Sequence, residues 1–499
     1  MPQILKIAAN AVKAKLFQAT RAEKNIVSEL LSYEVEGAEF SSSYGSGWDG
    51  MSTFFNYRDA SFPAGFVEYI KRVMEKRGYV VQIIKRPPPS PLGPENPKVD
   101  DFPDDNRYRY QMETVKRLES RHRMVAMLAT GGGKSRTAKM AYARIKRRTL
   151  FITTRSVLMY QMKDNFTSMG ERVGVIGDGE FSPSAGFTVA MVQTIAAMLK
   201  LPEKNDTKDK QAAQLQRRET ILKILEDTEF VILEEAHEIG GDSYYTILNH
   251  CINAHYRLAL TATPFMKSNS ESNMRLMASA GPVGIKVTEE MLINSGILAK
   301  PYFKFVRIDS AHKLHTHTSW PRCYELGIVE NQERNKIIVD EAVRAVKYKL
   351  PTLILVQRQK HGEIIKDMLR SAGIRCDFIY GKHEQDERAN ALERLKSGKL
   401  QVIIGSTILD VGVDVPALGM IILAGGGKAE VAMRQRIGRG LREKRNSANI
   451  TFIVDFEDFS NKHLKTHSFA RKAIIENTKG FAENIIKAGE DFNFKLLEN

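Results

Sequence analysis

The sequence predicts an α/β chain: two parallel-sheet domains in tandem, preceded by a small α+β domain. Three observations predict it. From Tyr108 onward, short apolar runs alternate with longer stretches of helical periodicity. Continuous apolar strands between helices indicate parallel sheets covered on both faces. A stretch from Arg86 to Asp105 holds seven of the 17 prolines, and proline fixes φ and lacks an N–H, so this stretch should run as an extended linker. Finally, 499 residues leave room for about three domains at roughly 150 residues each.

The first segment, 1–85, reads as the α+β unit. Partial alternation over residues 4–17 suggests one strand (Val12 and Leu16 against Lys13 and Lys15), and Ile26, Leu30 and Tyr33 stand at helical spacing across 21–33. Met51 to Tyr57 is aromatic and β-prone. Phe66, Ile70, Val73 and Met74 give an amphipathic helix that ends near Gly78, before the strand-like Tyr79 to Ile84.

After the linker, 86–105, the first block of strands is Met124–Leu128, Thr149–Thr153, Thr188–Val192, Phe230–Leu233 and Tyr256–Thr261. The second is Thr352–Val356, Cys376–Tyr380, Gln401–Gly405, Met420–Leu423 and Ile450–Val454. A split near Gly296 to Pro301 gives domains 106–296 and 297–458. Residues 200–220 are a highly charged insertion, read as a solvated helix or loop. The terminal stretch 459–499 has helical periodicity and is expected to pack on the second domain.

Composition narrows the class. Hydrophobic residues at 42% and charged residues at 27% are ordinary soluble globular usage, which excludes a fibrous repeat and a wholly disordered chain. The cysteines, Cys251, Cys323 and Cys376, are too far apart for a zinc knuckle or redox pair and read as reduced thiols. Lysines at 6, 13 and 15 interrupt any apolar signal core, and the longest apolar stretch, Ala417 to Gly427, is too short and Gly-rich to span a bilayer. The expectation is a soluble, cytoplasmic protein with no membrane partner. A net charge of +15 suits a polyanionic partner without requiring one.

Leu128-Ala129-Thr130-Gly131-Gly132-Gly133-Lys134-Ser135 follows an apolar strand and opens a helix. Consecutive glycines let backbone N–H groups converge on phosphate oxygens; the Lys supplies a point charge and the Ser hydroxyl suits Mg²⁺. The usual loop has Gly six residues before the Lys, where this chain has Leu128. About 100 residues on, Phe230-Val231-Ile232-Leu233 ends in Glu234-Glu235-Ala236-His237. A strand ending in acidic residues suits Mg²⁺ coordination, with a second carboxylate orienting the attacking water. Later, Arg434 to Arg442 (RQRIGRGLR) is either a solvated basic face or a source of guanidinium groups. Arg439 and Arg442, three apart, would share a helical face and could act together on a transferring phosphoryl group. Gly45 to Gly50 matches G-x-G-x-x-G but precedes the strand-like MSTFFNYR, so it reads as a turn.

In this order the motifs resemble the superfamily-two helicases and translocases across residues 107–455. That resemblance implies two RecA-like domains, ATP and Mg²⁺ as cofactors, and a role for each motif. Arg107 to Gln111 is similar to the adenine-reading segment, with Arg107, Gln111 and, from the second domain, Gln435 at the nucleotide. Thr130, Gly131, Gly132, Gly133, Lys134 and Ser135 form the phosphate loop, and Ser135 and Glu234 hold the metal. Lys134, Glu234, Glu235, Arg439 and Arg442 are the catalytic set. Thr153 and Arg155, Gln193 and Thr194, and Thr407 resemble the residues that grip a nucleic-acid backbone. His237, Thr261, Thr263, Gly412 and Asp414 resemble the coupling motifs.

Tyr44 to Gly50, Phe62 to Gly65 and the following helix resemble the N-terminal domain of the UvsW-type phage recombination and branch-migration helicases. This implies a duplex-binding role for that domain and a cytoplasm that is a bacterial host's. Trp48 could stack on bases or, with Phe54, Phe55 and Tyr57, simply fill a small core. The leading expectation is an ATP-driven motor on branched or forked DNA. Alternatives are an RNA helicase, the motor of a restriction enzyme, and a nucleotide-gated binding or annealing protein with weak turnover. The last is motivated by Glu234, which stands where the family usually has Asp and moves the carboxylate by about 1.5 Å.

Overall fold

The structure is a computed structural model. It describes residues 3–497 except 36, 41–46, 101–104, 204, 236–241, 264–269, 310, 312–313, 316–317, 381–384, 406–416, 428–436, 439 and 445–446. Contacts divide the chain into two units, Met1–Leu128 with Gly133–Lys286, and Ala129–Gly132 with Val287–Asn499.

In the first unit the leading strands are β1 (Ile4–Ala9), β2 (Lys13–Phe17), β3 (Ser32–Glu34), β4 (Met51–Thr53), β5 (Ser61–Pro63) and β6 (Val80–Ile84). Four of them form a sheet ordered β5-β2-β1-β6, with β1 parallel to β6 and antiparallel to β2. The single strand expected over 4–17 is therefore a hairpin. Asn10 breaks it: its Oδ1 accepts from the backbone N–H of Val12 at 2.8 Å and Lys13 at 2.7 Å, a turn that Asn favours. The helix Arg21–Leu30 begins in a capping box. Thr20 Oγ1 accepts from Glu23 N–H at 3.2 Å, and Glu23 Oε2 from Thr20 N–H at 2.7 Å. Tyr33 lies past this helix, in β3.

The small sheet shares its core with a neighbouring element of the same unit. Leu5, Ile7, Leu16, Phe62, Phe66 and Ile70 pack with Ala278 from the helix Ser270–Ala280. A Cβ on Gly65 would meet the Met277 carbonyl oxygen at 2.1 Å, so only glycine permits this approach. The described residues of the proline-rich segment run without helix or strand and are bonded along the same unit. Leu92 and Gly93 N–H donate to the carbonyls of Ile145 and Arg144, and Tyr256 Oη donates to the Pro89 carbonyl at 2.8 Å.

The unit's main sheet comprises β7 (Arg123–Leu128), β8 (Thr149–Thr153), β9 (Val173–Gly177), β10 (Glu180–Ser182), β11 (Phe187–Met191), β12 (Phe230–Glu234), β13 (Tyr256–Thr261) and β14 (Val283–Val287). Its order is β10-β9-β11-β8-β12-β13-β7-β14. From β9 to β7 every pairing is parallel, so these strands end on one edge. The charged insertion contributes the 20-residue helix Lys208–Asp227, capped by Thr207.

The second unit holds β15 (Lys300–Ile308), β16 (Thr352–Leu355), β17 (Cys376–Ile379), β18 (Val402–Gly405), β19 (Met420–Ile422) and β20 (Ile450–Asp458), ordered β15-β20-β19-β16-β18-β17 and parallel throughout. Past the helix Lys462–Glu476, Phe481 packs on Phe303, and Phe492 and Phe494 pack on Phe452. All three cysteines are buried and free.

Candidate functional site at the carboxyl edge of the first sheet

In a parallel sheet flanked by helices, ligands bind outside the carboxyl ends of the strands, where loops lead into helix N-termini. Five motif-bearing strands of the first unit end on that edge. β7 ends at Leu128, β8 at Thr153, β11 at Met191, β12 at Glu234 and β13 at Thr261. β13 lies between β7 and β12, with Thr261 opposite Met127 and Leu260 opposite Glu234.

The glycine loop bends through two left-handed residues, Gly131 (φ +87°) and Gly133 (φ +75°), and the helix Lys134–Ile145 starts at once. No side chain caps that helix, so its first N–H groups are left to the loop and to a ligand. A Cβ on Gly133 would lie 2.3 Å from Gln111 Nε2. The buried Gln111 amide is thus seated against the loop, where its Oε1 accepts from Arg136 Nη1. Arg136 is a residue the motif reading passed over. Its spacing three residues after Gly133, on the first turn of the helix, was the available signal. Arg136 also pairs with Asp100 at 3.2 Å. Arg107 lies in a short 3₁₀ turn and pairs with Asp105 at 2.7 Å.

Lys134 and Glu235, 101 residues apart in sequence, form the centre of the site. Lys134 Nζ donates to Glu235 Oε1 at 3.0 Å, and the two side chains are only 14% and 8% exposed. Glu235 adopts φ +51°, a left-handed conformation unusual for a residue with a Cβ. Glu234, buried beside it, is the last residue of β12. Ser135 follows Lys134 on the first helical turn.

The other edge loops are tied together. Gln193 Nε2 donates to the Thr154 carbonyl at 3.0 Å, linking the ends of β11 and β8. Thr153 is buried, Arg155 and Thr194 are half-buried, and Gln193 is exposed. Thr261 Oγ1 accepts from Thr263 N–H at 3.1 Å.

Of the remaining residues expected here, His237, Thr407, Gly412, Asp414, Gln435 and Arg439 lie outside the described residues. Thr130, Gly131 and Gly132 group by contact with the second unit. Arg442 is exposed and stands outside a helix, where its spacing suggested a helical position. The helical residues nearby are 437, 438 and 440, and Arg442 follows in an antiparallel bridge with Leu298. Among the described residues no group of three or more His, Cys, Asp or Glu side chains could hold a metal. A hard cation would draw on hydroxyl and carboxylate oxygens instead, and Ser135 and Glu234 offer both types.

The family pattern of the Type III restriction enzyme res subunit matches residues 105–266, and that of the helicase conserved C-terminal domain matches residues 333–444. The chain belongs to the superfamily-two helicases. Its two parallel sheets are the two RecA-like domains of that class. It is 21% identical over 497 residues to the ATP-dependent DNA helicase uvsW of Enterobacteria phage T4, covering 94% of each chain. It is 26% identical over 271 residues to a protein named as a helicase, number 22, of the Sulfolobus islandicus filamentous virus, and it spans 47% of that relative's length. Among solved structures, the DUF1998 helicase MrfA bound to DNA and AMPPNP has a TM-score of 0.52 at 14% identity, covering 78% of this chain and 55% of MrfA; this likeness shows the fold. No helix among the described residues is long and apolar enough to cross a membrane.

Proposed function

We propose that this helicase is an ATP-driven motor that remodels branched or forked DNA. The observation that carries the chemistry is the buried Lys134–Glu235 pair, whose lysine directly follows the glycine loop in sequence. A triphosphate in that loop would draw the Lys134 ammonium onto its β- and γ-phosphate oxygens. Glu235 would then be released to orient a water and accept its proton as the γ-phosphoryl group departs. The uncapped helix N-terminus at Lys134 adds partial positive charge at the same place. Ser135 and Glu234 would hold Mg²⁺, which when bound neutralises charge on the transferring phosphoryl group. Arg107 and Gln111 would face the base with Gln435, while Arg439 and Arg442 would supply guanidinium charge from the second domain.

Thr153, Arg155, Gln193 and Thr194 share the sheet edge with the phosphate loop, which supports a role in gripping a strand close to the hydrolytic residues. Thr407 would add a contact from the second domain. Thr261 and Thr263 sit on the strand between β7 and β12 and are suited to couple the two events, together with His237, Gly412 and Asp414. DNA rather than RNA is favoured by the likeness to uvsW, which runs through the small N-terminal domain as well as the motor. The resemblance of that domain to the UvsW type supports a branched substrate.

Phosphate release from ATP at one low salt concentration tests this, measured without nucleic acid and with single-stranded DNA, a four-way DNA junction or RNA. The expected order places the junction first. Stimulation by RNA alone would move the substrate to RNA, and background release in every arm would overturn the motor reading.

A further inference from the structure

A second cationic site lies at the opposite edge of the first sheet. There a cavity of about 1120 Å³ opens between the β1–β2 turn, the end of β6, and the residues that enter β7 and β13. It is lined by Lys85, Arg86, Arg121, His122 and Arg123. Of its two lining carboxylates, Asp59 pairs with Lys13 at 3.0 Å, and Glu68 pairs with Arg72 at 3.1 Å and also acts on Lys85, so the cations outnumber the carboxylates.

Arg123 shows what is missing. Its Nη2 donates to the Ala11 carbonyl at 2.7 Å, but its Nη1 is buried without a hydrogen-bond partner. Arg257 and Lys85 lie near it, and burial together with the like charge of Arg257 pushes Arg123 down to about 9. His122 Nδ1 is likewise buried and unpartnered, and burial with nearby Lys85 pushes the ring down to about 4. His122 also holds a left-handed backbone, φ +69°, at the end of the helix Arg109–Arg121, where glycine is the usual residue. A buried cation without a counter-charge is costly, and a guanidinium fork matches a phosphate oxyanion in geometry and charge.

We propose that this cavity is a phosphate-binding site separate from the ATP loop, and that it holds the sugar-phosphate backbone of duplex DNA. The choice of DNA rests on the function proposed above. The same oxyanion chemistry could also come from a free polyphosphate. The cavity joins the small domain to the motor domain within one unit, so a strand held there would bind both at once.

The test uses the full chain and its Lys85→Gln/Arg86→Gln/Arg121→Gln variant. These three side chains are exposed, so the fold should survive, which circular dichroism and Tm would verify. Duplex affinity is measured across a salt series, and inorganic triphosphate binding in parallel. Each lost phosphate contact should lower the slope of log K against log salt by about 0.9, so a drop of about 2 to 3 is expected, with DNA-free ATP turnover unchanged. An unchanged slope overturns the proposal. Loss of triphosphate binding with an unchanged DNA slope assigns the site to a free polyphosphate and also overturns the DNA assignment. The slope comparison stands even if no nucleic acid stimulates hydrolysis, so failure of the motor reading would remain distinguishable.

Discussion

Glu235 is held in a left-handed backbone conformation that costs a residue with a Cβ about 1 to 2 kcal/mol, and the surrounding strand end and the Lys134 ion pair keep it there. Such strain is retained where a side chain must point in one direction. Glu235→Gln keeps the shape and removes the proton acceptor, so ATP turnover should fall by about 10² to 10⁴ while a fluorescent ATP analogue still binds. Equal loss of turnover and binding would show that Glu235 only supports the loop. Glu234→Asp tests the neighbouring position. If the extra methylene of Glu234 misplaces the carboxylate, the shorter side chain should raise turnover at limiting Mg²⁺, and an unchanged Mg²⁺ dependence would show that the site absorbs the difference. At Gly133 two costs coincide, a left-handed φ and a clash of the added Cβ with Gln111 Nε2 at 2.3 Å. Gly133→Ala should therefore lower Tm by several degrees and weaken nucleotide binding, both readable in one melting series with and without ATP.

The clearest dependence between elements is in the second domain, where Arg334 on the helix Gln332–Lys347 pairs with Asp458 at the end of β20. The distance is 2.8 Å, both side chains are almost fully buried, and the guanidinium stacks 4.0 Å from the Phe456 ring centre. Removing Arg334 leaves the Asp458 carboxylate buried without its hydrogen-bonded partner, with Arg471 the remaining cation that acts on it. Arg334→Leu should cost about 3 to 5 kcal/mol in chemical denaturation, and Arg334→Leu/Asp458→Asn should recover part of it. All ten strands read from apolar runs are present, nine of them interior and one, β17, at a sheet edge. The strands that went unread are edge or interrupted ones. β15 begins Lys300-Pro301 and carries Lys304 and Arg307, because an edge strand tolerates proline and one solvated face. β9 and β14 contain Gly174 and Gly284, which break the apolar run because a Cβ there would strike Ser184 or Met124. The candidate site was legible for the opposite reason. Each motif sits at a strand's carboxyl end, and parallel pairing alone brings those ends to one edge. Arg136 and the basic cavity were not legible, since one depends on where Gln111 turns and the other on a small sheet packing against a distant helix.

Across the whole molecule, each of the two units carries an imidazole held below the usual histidine range, fully buried in the second unit and half-buried in the first. His361 in the second unit is fully buried, lies 2.9 Å from Asn335 Oδ1, and is pushed down to about 3, chiefly by burial and then by Arg334. In the first unit His122 is pushed down to about 4. An imidazole whose folded value lies below its unfolded value of about 6.5 takes up its proton only on unfolding once the pH falls below that value. The unfolded state then binds more protons than the native one. Stability is therefore unaffected well above pH 6.5 and is lost as the pH falls below it, by up to about 1.4 kcal/mol per pH unit for each such histidine. The net charge of +15 rises further on acidification and acts in the same direction. Melting curves between pH 7.5 and 4.5 should show both units losing stability through this window. His361→Gln retains an amide partner for Asn335 and removes the titrating group, so it should flatten the acid side of the second unit's transition and leave the first unit's slope unchanged. A slope lost from both transitions would mean that the units do not unfold separately, and an unchanged second slope would mean that His361 is not the group that titrates.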